Sequence, residues 1–329
     1  MSDRRALIVG IDEYQERTLG LRGAARDAAR MATVLARHAD DERNYDCELL
    51  RANTRGQVTR AQLRSRLGSL FDPNFDGDAL LYFSGHGLLS RGGGLLVTSD
   101  GVPGDWGIGM AEVIALANAS HARNLLILLD CCHAGAMTQQ ADGASGPLSR
   151  IRENLTVLAA SRAGESTEEE EQGGKFTLGL VDALLGGAAD LLGDVTPQAI
   201  FRCIERRAGS WDQRPVYQSN SSRSLVVRRC LPIMEKAYLR RLCELFTTPE
   251  AHFTLDPSYE RDDELSEGVE SARAAKLRIA QLFKAYRDAG LLRPCVAGEQ
   301  LYWTARRGHG VELTPAGKEW WYLARDGRI

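Results

Sequence analysis

The chain has 329 residues, enough for about two domains, and its 43% hydrophobic and 26% charged content is an ordinary globular balance. A formal net charge of -3 leaves no basic excess for holding nucleic acid or an acidic membrane. The cysteines are odd in number, irregularly spaced and free of any Cys-x-x-Cys pair, which argues against a disulfide framework and for a reducing compartment; with no signal-peptide core and no apolar run of membrane-spanning length, a cytoplasmic location is expected.

RALIVGI, 5–11, predicts a strand buried on both faces. A helix follows from about Gly23 to His38, with Ala25, Ala28, Met31, Ala32 and Leu35 on one stripe, then a strand near Cys47 to Leu50. Thr59 opens another helix with Gln62 three residues on, as a capping box requires, and Leu63, Leu67 and Leu70 form its apolar face. DALLYFSGHG, 78–87, is a buried strand ending in a small-residue turn. Gly92 to Gly109 reads as loop and hairpin, and Met110 to Ala119 as helix. NLLILLDCCHAG, 124–135, is a long aliphatic strand that also ends in a polar turn, and NLTVLAAS, 154–161, is a further strand. Phe176 to Leu185 is helical, Thr196-Pro197 caps a helix running through Arg206, and Ser224 to Val227 reads as a last strand. Alternation of strands and helices over 1–230 implies an α/β domain with helices on both faces of a largely parallel sheet. In such sheets reactive groups gather beyond the carboxyl ends of the strands, where SGHG and DCCHAG both lie.

Pro232 marks a boundary to a second, smaller α+β domain over 231–329. Lys236 to Phe246 is helical, 256–270 acidic and irregular, and Ser271 to Ala289 a helix stopped by Gly290. LYWTA, RRGHG and VELT read as strand, turn and strand, and AGKEWWYLARD as a closing helix behind Pro315.

His86 stands between Gly85 and Gly87, which let the backbone turn sharply and approach a substrate. An imidazole there is placed for general-base work, although a lone histidine at a turn is more often a structural cap. Cys131 and Cys132 follow Asp130 at the other strand end; a cysteine beside an imidazole is a nucleophile, and a cysteine alone is more often a small core residue. The two turns together favour chemistry. Adjacent residues of a strand point to opposite faces, so Cys131, Cys132 and His133 do not converge on one zinc ion.

YFSGHG followed by LLDCCHAG resembles the paired signature of the caspase-like cysteine peptidases, above all bacterial caspase-like (orthocaspase-type) proteases and metacaspases. ALIVGIDEY, LRGAARDAARM, LAASRAGES and GKFTLGLVDAL are similar to that group as well, so the resemblance spans roughly 5–230. His86 precedes Cys132 by roughly the 50 positions known for caspases. The resemblance implies an α/β/α sandwich with a largely parallel six-stranded sheet. It implies Cys132 as nucleophile, His86 as base, and the backbone N–H groups of Gly87 and Cys132 as oxyanion hole. It places Asp27, Ser84 and Asp130 in the pocket for the residue before the scissile bond. Two carboxylates there favour a cation, so cleavage after Arg, or Lys, is expected rather than after Asp. The acid-rich stretch that follows the histidine turn in calcium-dependent metacaspases is reduced here to scattered acids. Glu168 to Glu171 would attract calcium but reads more simply as a solvated charge run; no metal or cofactor is predicted.

Caspases mature in the linker after the nucleophile. Here 136–153 is polar, and Arg150 and Arg152 would suit self-cleavage or cutting by an activating protease; a latent enzyme is expected. LTPAGKEW resembles the end of a winged-helix wing. Arg306-Arg307 do not make a basic face, so nucleic acid is not an expected partner. Docking to a regulatory protein or to the protease domain is, with Trp303, Trp320 and Trp321 as interface candidates. Bacterial relatives with added small domains suggest an antiviral effector. Two rivals remain: a non-catalytic scaffold on the same fold, acting through its C-terminal module, and a flavodoxin-like nucleotide binder. Against the second, GIDEYQ after the first strand lacks a phosphate-cradling Gly-x-Gly-x-x-Gly turn.

Overall fold

A computed structural model describes residues 3–53, 56–90, 93–131, 151–160, 174–207, 214–259 and 270–329, with backbone alone for 270–273. Cys132, Arg150 and the Glu168 to Glu171 run lie outside the described residues. The chain divides into two compact units, Met1–Leu231 and Pro232–Ile329. Among the described residues no helix is long and apolar enough to cross a membrane.

In chain order the first unit contains β1 (Arg4–Ile11), α1 (Ala24–Ala36), β2 (Asp46–Ala52), α2 (Arg60–Leu70), β3 (Asp78–Ser84), β4 (Gly87–Ser90), β5 (Gly93–Val102), β6 (Asp105–Gly109), α3 (Met110–Ala119) and β7 (Asn124–Asp130). It continues with β8 (Leu155–Ala159), α4 (Lys175–Asp182), β9 (Asp194–Val195), α5 (Pro197–Arg207), β10 (Val216–Asn220) and β11 (Arg228–Arg229). Six strands make the central sheet in the order β10-β8-β7-β3-β1-β2. All neighbours are parallel except β10, which runs antiparallel to β8.

The apolar runs of β1, β3 and β7 are explained by burial on both faces. Leu7, Val9, Leu81, Phe83, Ile127 and Leu129 point into one core, where α2 brings Leu63 and Leu67 and α3 brings Val113 and Ile114. Ala6, Ile8, Leu80, Tyr82, Leu126 and Leu128 point into the other, against Met31 and Leu35 of α1, Leu180 of α4 and Ile200 of α5. A leucine fully withdrawn from water in this way contributes about 2 kcal/mol. The Thr59 hydroxyl accepts from the Gln62 N–H at 3.2 Å, so α2 starts where the sequence signal places it.

From β1 the chain moves to β2 on one side and then to β3 on the other. The sheet therefore reverses direction between β1 and β3, which opens a crevice beyond their carboxyl ends. Gly10, Ser84 and Asp130 stand in register across that edge. A Cβ at Gly10 would lie 2.3 Å from the Ala24 carbonyl oxygen and 2.6 Å from Ala28 Cβ, so only glycine admits α1 this close to the strand end.

Two strand expectations are corrected. Ser224 to Val227 packs Leu225 and Val227 into the second core, but the ladder forms at β11, which pairs with β9. The alternation reflected side-chain burial, not pairing. β10 carries the polar run VYQSN and gave no apolar signal; its Ser219 sits opposite Thr156, hydroxyl to hydroxyl at 2.7 Å, at the edge of the sheet.

The second unit contains α6 (Lys236–Arg240), α7 (Leu242–Leu245), β12 (His252–Thr254), α8 (Glu270–Asp288), β13 (Leu292–Pro294), α9 (Leu301–Arg306), β14 (Gly310–Leu313) and α10 (Pro315–Arg325). The three strands pair antiparallel in the order β12-β14-β13. LYWTA is the helix α9, not a strand. Its aromatic content suggests β structure, yet Leu301, Thr304 and Ala305 are its buried residues, at helical spacing. Trp321 is buried and its indole N–H donates to the Phe246 carbonyl at 2.8 Å, whereas Trp303 is 49% exposed.

Candidate active site

His86 follows β3 by two residues, in the turn between β3 and β4. Its approach is fixed from below: the Gly85 N–H donates to the Asp130 carbonyl at 3.3 Å, tying the ends of β3 and β7 together. A Cβ at Gly85 would lie 2.8 Å from the Tyr14 hydroxyl. That hydroxyl, buried, donates to the Ile11 carbonyl at 3.1 Å and accepts from the His86 N–H at 2.9 Å. The Tyr14 and His86 rings lie 5.2 Å apart, tilted by 49°.

The imidazole is held by a main-chain group. His86 Nε2 lies 2.8 Å from the Leu19 carbonyl oxygen. A carbonyl only accepts, so Nε2 is a donor here, and in the neutral ring the lone pair is on Nδ1. The Leu19 carbonyl is presented by a short 3-10 turn, Arg17–Leu19. Contacts from the Leu21 N–H to the Asp12 carbonyl at 2.8 Å and from the Gln15 N–H to the Ser99 carbonyl at 2.7 Å pin the surrounding loop. The sequence carries no sign of this partner, because any residue type supplies a carbonyl.

Gly87 begins β4 opposite Leu96. The Val97 N–H donates to the His86 carbonyl at 3.0 Å, so that carbonyl points towards β5. The Gly87 N–H stands on the other side of the same trans peptide bond and points away from β5.

Asp130 ends β7 and Cys131 follows it. Strand alternation sends them to opposite faces: Cys131 is 3% exposed in the first core, while Asp130 faces the α1 and α4 side. There it meets Asp27 of α1. Asp27 is 1% exposed, so it is not the solvated helix charge that its position in an amphipathic helix suggests. Its Oδ2 accepts from the Gly174 N–H at 2.9 Å and its Oδ1 lies 3.5 Å from Arg30 Nη1, with no hydrogen-bond partner for Oδ1 among the described residues. Burial raises the Asp27 carboxyl above the ordinary range against the pull of Gly174 and Arg30. Asp130 accepts from the Thr177 hydroxyl. Thr177 is 2.5 Å from the buried Tyr82 hydroxyl, and because Thr177 donates to Asp130, Tyr82 donates to Thr177. Burial pushes the Asp130 carboxyl up to about 6; the Thr177 hydrogen bonds oppose this and the Asp27 charge adds to it. Ser84, 5% exposed, is in register beside Asp130 and within hydrogen-bonding influence of Tyr82.

One side of the β3–β7 edge thus carries an oriented imidazole. The other carries two carboxylates, Asp27 buried beside Arg30 and Asp130 half-buried, both held above the ordinary carboxyl range mainly by desolvation. The N-terminal turn of α4 lies over those carboxylates: a Cβ at Gly174 would stand 2.7 Å from Asp130 Oδ2. Tyr14, Leu19, Gly174 and Thr177 were not singled out from the sequence, although GIDEY and GKFT contain three of them.

Arg152, by contrast, is tethered. Its guanidinium donates to the Ser120, Ala122 and Glu153 carbonyls, and its N–H donates to Asn118 Oδ1.

A profile described as the caspase domain matches residues 3–227. Among solved structures, caspase-1 from Spodoptera frugiperda aligns with a TM-score of 0.50 and 13% identity, covering 69% of this chain and 92% of its own. A protein from Geobacter sulfurreducens aligns with a TM-score of 0.49 and 16% identity, covering 69% of this chain and 97% of its own. At 13% identity the likeness to the caspase-1 structure is one of fold. A comparison with curated proteins returns no match.

Proposed function

The chain belongs to the caspase-domain peptidase family, and from that premise we propose that it is a cysteine endopeptidase cleaving after Arg, and less well after Lys, with Cys132 as nucleophile and His86 as base. The observation that carries this reading is the 2.8 Å contact between His86 Nε2 and the Leu19 carbonyl. It leaves Nδ1 as the atom that takes the Cys132 thiol proton. The thiolate adds to the scissile carbonyl, and the oxyanion is received by the N–H groups of Gly87 and Cys132. The imidazolium then protonates the leaving amine, and water, deprotonated by His86, hydrolyses the thioester.

Substrate choice follows from the carboxylates. Asp27 is buried and Asp130 half-buried, and both are held above the ordinary carboxyl range mainly by desolvation. An arginine side chain entering between them and Ser84 would add a second cation to Arg30 and form charge-assisted hydrogen bonds with a planar fork that lysine lacks. An aspartate in that pocket would add a third carboxyl to two.

The protein is made latent in this reading, because the Gly174 N–H and the Thr177 hydroxyl already occupy the carboxylates. Self-processing, or cutting by an activating protease, falls at Arg150 rather than Arg152, whose guanidinium is engaged by main-chain carbonyls and would have to be pulled free first. The second unit acts as a docking module for a regulatory partner, through exposed aromatics such as Trp303.

Purified wild type and Cys132→Ala, each incubated with peptides bearing Arg, Lys or Asp before the scissile bond, test the proposal. Cleavage by wild type alone, with Arg preferred, is expected. Equal inactivity of both after cleavage of the linker at Arg150 would favour a scaffold, and preference for Asp would overturn the pocket assignment.

A further inference from the structure

The second unit holds a cluster of metal-binding side chains that the peptidase reading does not use. Its sheet is buried on one side: Val311 and Leu313 of β14 and Leu292 of β13 are at most 2% exposed, and Phe253 of β12 packs 4.9 Å from Phe283. Strand alternation turns the intervening residues outward. His252 stands opposite Glu312, and so, on the other flank, does Arg293. Cys295, just past β13, is anchored beside them by its N–H, which donates to the Gly310 carbonyl at 2.9 Å. Gly310 lies between the histidine and the cysteine: a Cβ there would stand 3.4 Å from Cys295 Sγ and 3.7 Å from His252 Cβ. The missing side chain leaves the space in which the two converge.

One ligand atom each from His252, Cys295 and Glu312 lie within 4.8 Å of one another. His252 Nε2 is 3.2 Å from Glu312 Oε2, close to the roughly 3.4 Å between two ligand atoms about 2.1 Å from a tetrahedral ion. Because all three atoms lie within 4.8 Å, a side-chain rotation at the exposed Cys295 suffices to bring the sulfur to ligand distance. Glu312 is also oriented from behind. Arg293 donates to Oε1 at 2.8 Å and leaves Oε2 towards His252, the kind of outer contact that fixes a ligating carboxylate. An ion pair alone accounts for His252 and Glu312 but not for a thiol at the same point. Cys295 is the exposed cysteine among the described residues, and an exposed thiol without a role is a liability.

We propose that His252, Cys295 and Glu312 form a site for a borderline-soft divalent metal, zinc by the nitrogen, sulfur and carboxylate donor set, with a fourth position open to water. The ion would tie β12, β13 and β14 together on their solvent face. A cysteine ligates as its thiolate, so binding displaces a proton from the Cys295 sulfur. The ligands come from β12, β14 and the residue just past β13, which strand pairing brings together, and for that reason no ligand spacing announced them.

The test uses the full chain as Cys132→Ala, so that the peptidase thiol contributes nothing, reduced and stripped of metal. Cobalt(II) is added first and zinc(II) second. One equivalent of cobalt is expected to give intense tetrahedral d–d absorption with a thiolate-to-cobalt charge-transfer band, both abolished by zinc. Cys295→Ser should remove the charge-transfer band. It, His252→Ala and Glu312→Gln should each weaken binding at least about 10-fold, and Arg293→Ala about 10-fold through the orientation of Glu312. All four positions face solvent, and unchanged far-UV circular dichroism checks folding. Absence of saturable binding, or an identical spectrum in Cys295→Ser, overturns the proposal.

Discussion

Replacing Asp130 by asparagine should make the first unit more stable and the enzyme nearly inactive on arginine peptides. The carboxyl lies at about 6 instead of 3.8, chiefly because burial penalises its charge. A displacement of that size corresponds to roughly 3 kcal/mol of unfavourable ionisation. The sign is set by linkage: the folded state binds the proton more tightly than the unfolded one, so stability is highest below about pH 4, falls as pH rises, and reaches its lower plateau above about pH 6. Asparagine resembles the protonated form and still offers an oxygen to Thr177. The variant should therefore match wild type near pH 4 and exceed it by about 1–3 kcal/mol at pH 7–8, read from urea unfolding across that range. Activity moves the other way. Removing one member of a desolvated charge pair costs about 3–5 kcal/mol, so kcat/KM for an Arg peptide should fall by roughly two to three and a half orders of magnitude. Cleavage of Arg peptides within a few-fold of wild type would refute the reasoning about the pocket. Equal stability at every pH would refute the reasoning about the buried charge.

The acidic limb of kcat/KM for Arg peptides in wild type should rise with pH through about 6, as Asp130 becomes the carboxylate that receives the cation. Tyr14→Phe deletes the hydroxyl that accepts from the His86 N–H at 2.9 Å; an orphaned buried N–H is worth about 1–2 kcal/mol, and steady-state kinetics should show kcat down by roughly 5- to 30-fold with KM little changed. Gly10→Ala drives a methyl to 2.3 Å from the Ala24 carbonyl, should destabilise the first unit by about 1–3 kcal/mol in thermal or urea melts, and should lower Arg cleavage further by displacing Asp27. Arg150→Ala should block self-processing, seen by gel electrophoresis and N-terminal sequencing, whereas Arg152→Ala should leave the cut in place.

Local pattern determined much of this protein. β1, β3 and β7 are legible because strands covered on both faces must be apolar throughout, and the breaks in those runs, SGHG and DCC, are legible because polar residues at a strand's end need a reason. The caps at Thr59 and Gly290 are read equally well, since they depend on neighbours in the chain. Tertiary structure alone decided the rest. It buried Asp27, which as a helix residue looks solvated, by letting α1 approach at Gly10 and laying α4 across it. It fixed the His86 tautomer through the Leu19 carbonyl, a group every residue possesses. It made α9 a helix despite its aromatic sequence, and it brought His252, Cys295 and Glu312 together by strand pairing. In each case the deciding contact joins positions distant along the chain, and side-chain type at one position carries no record of which distant atom it will meet.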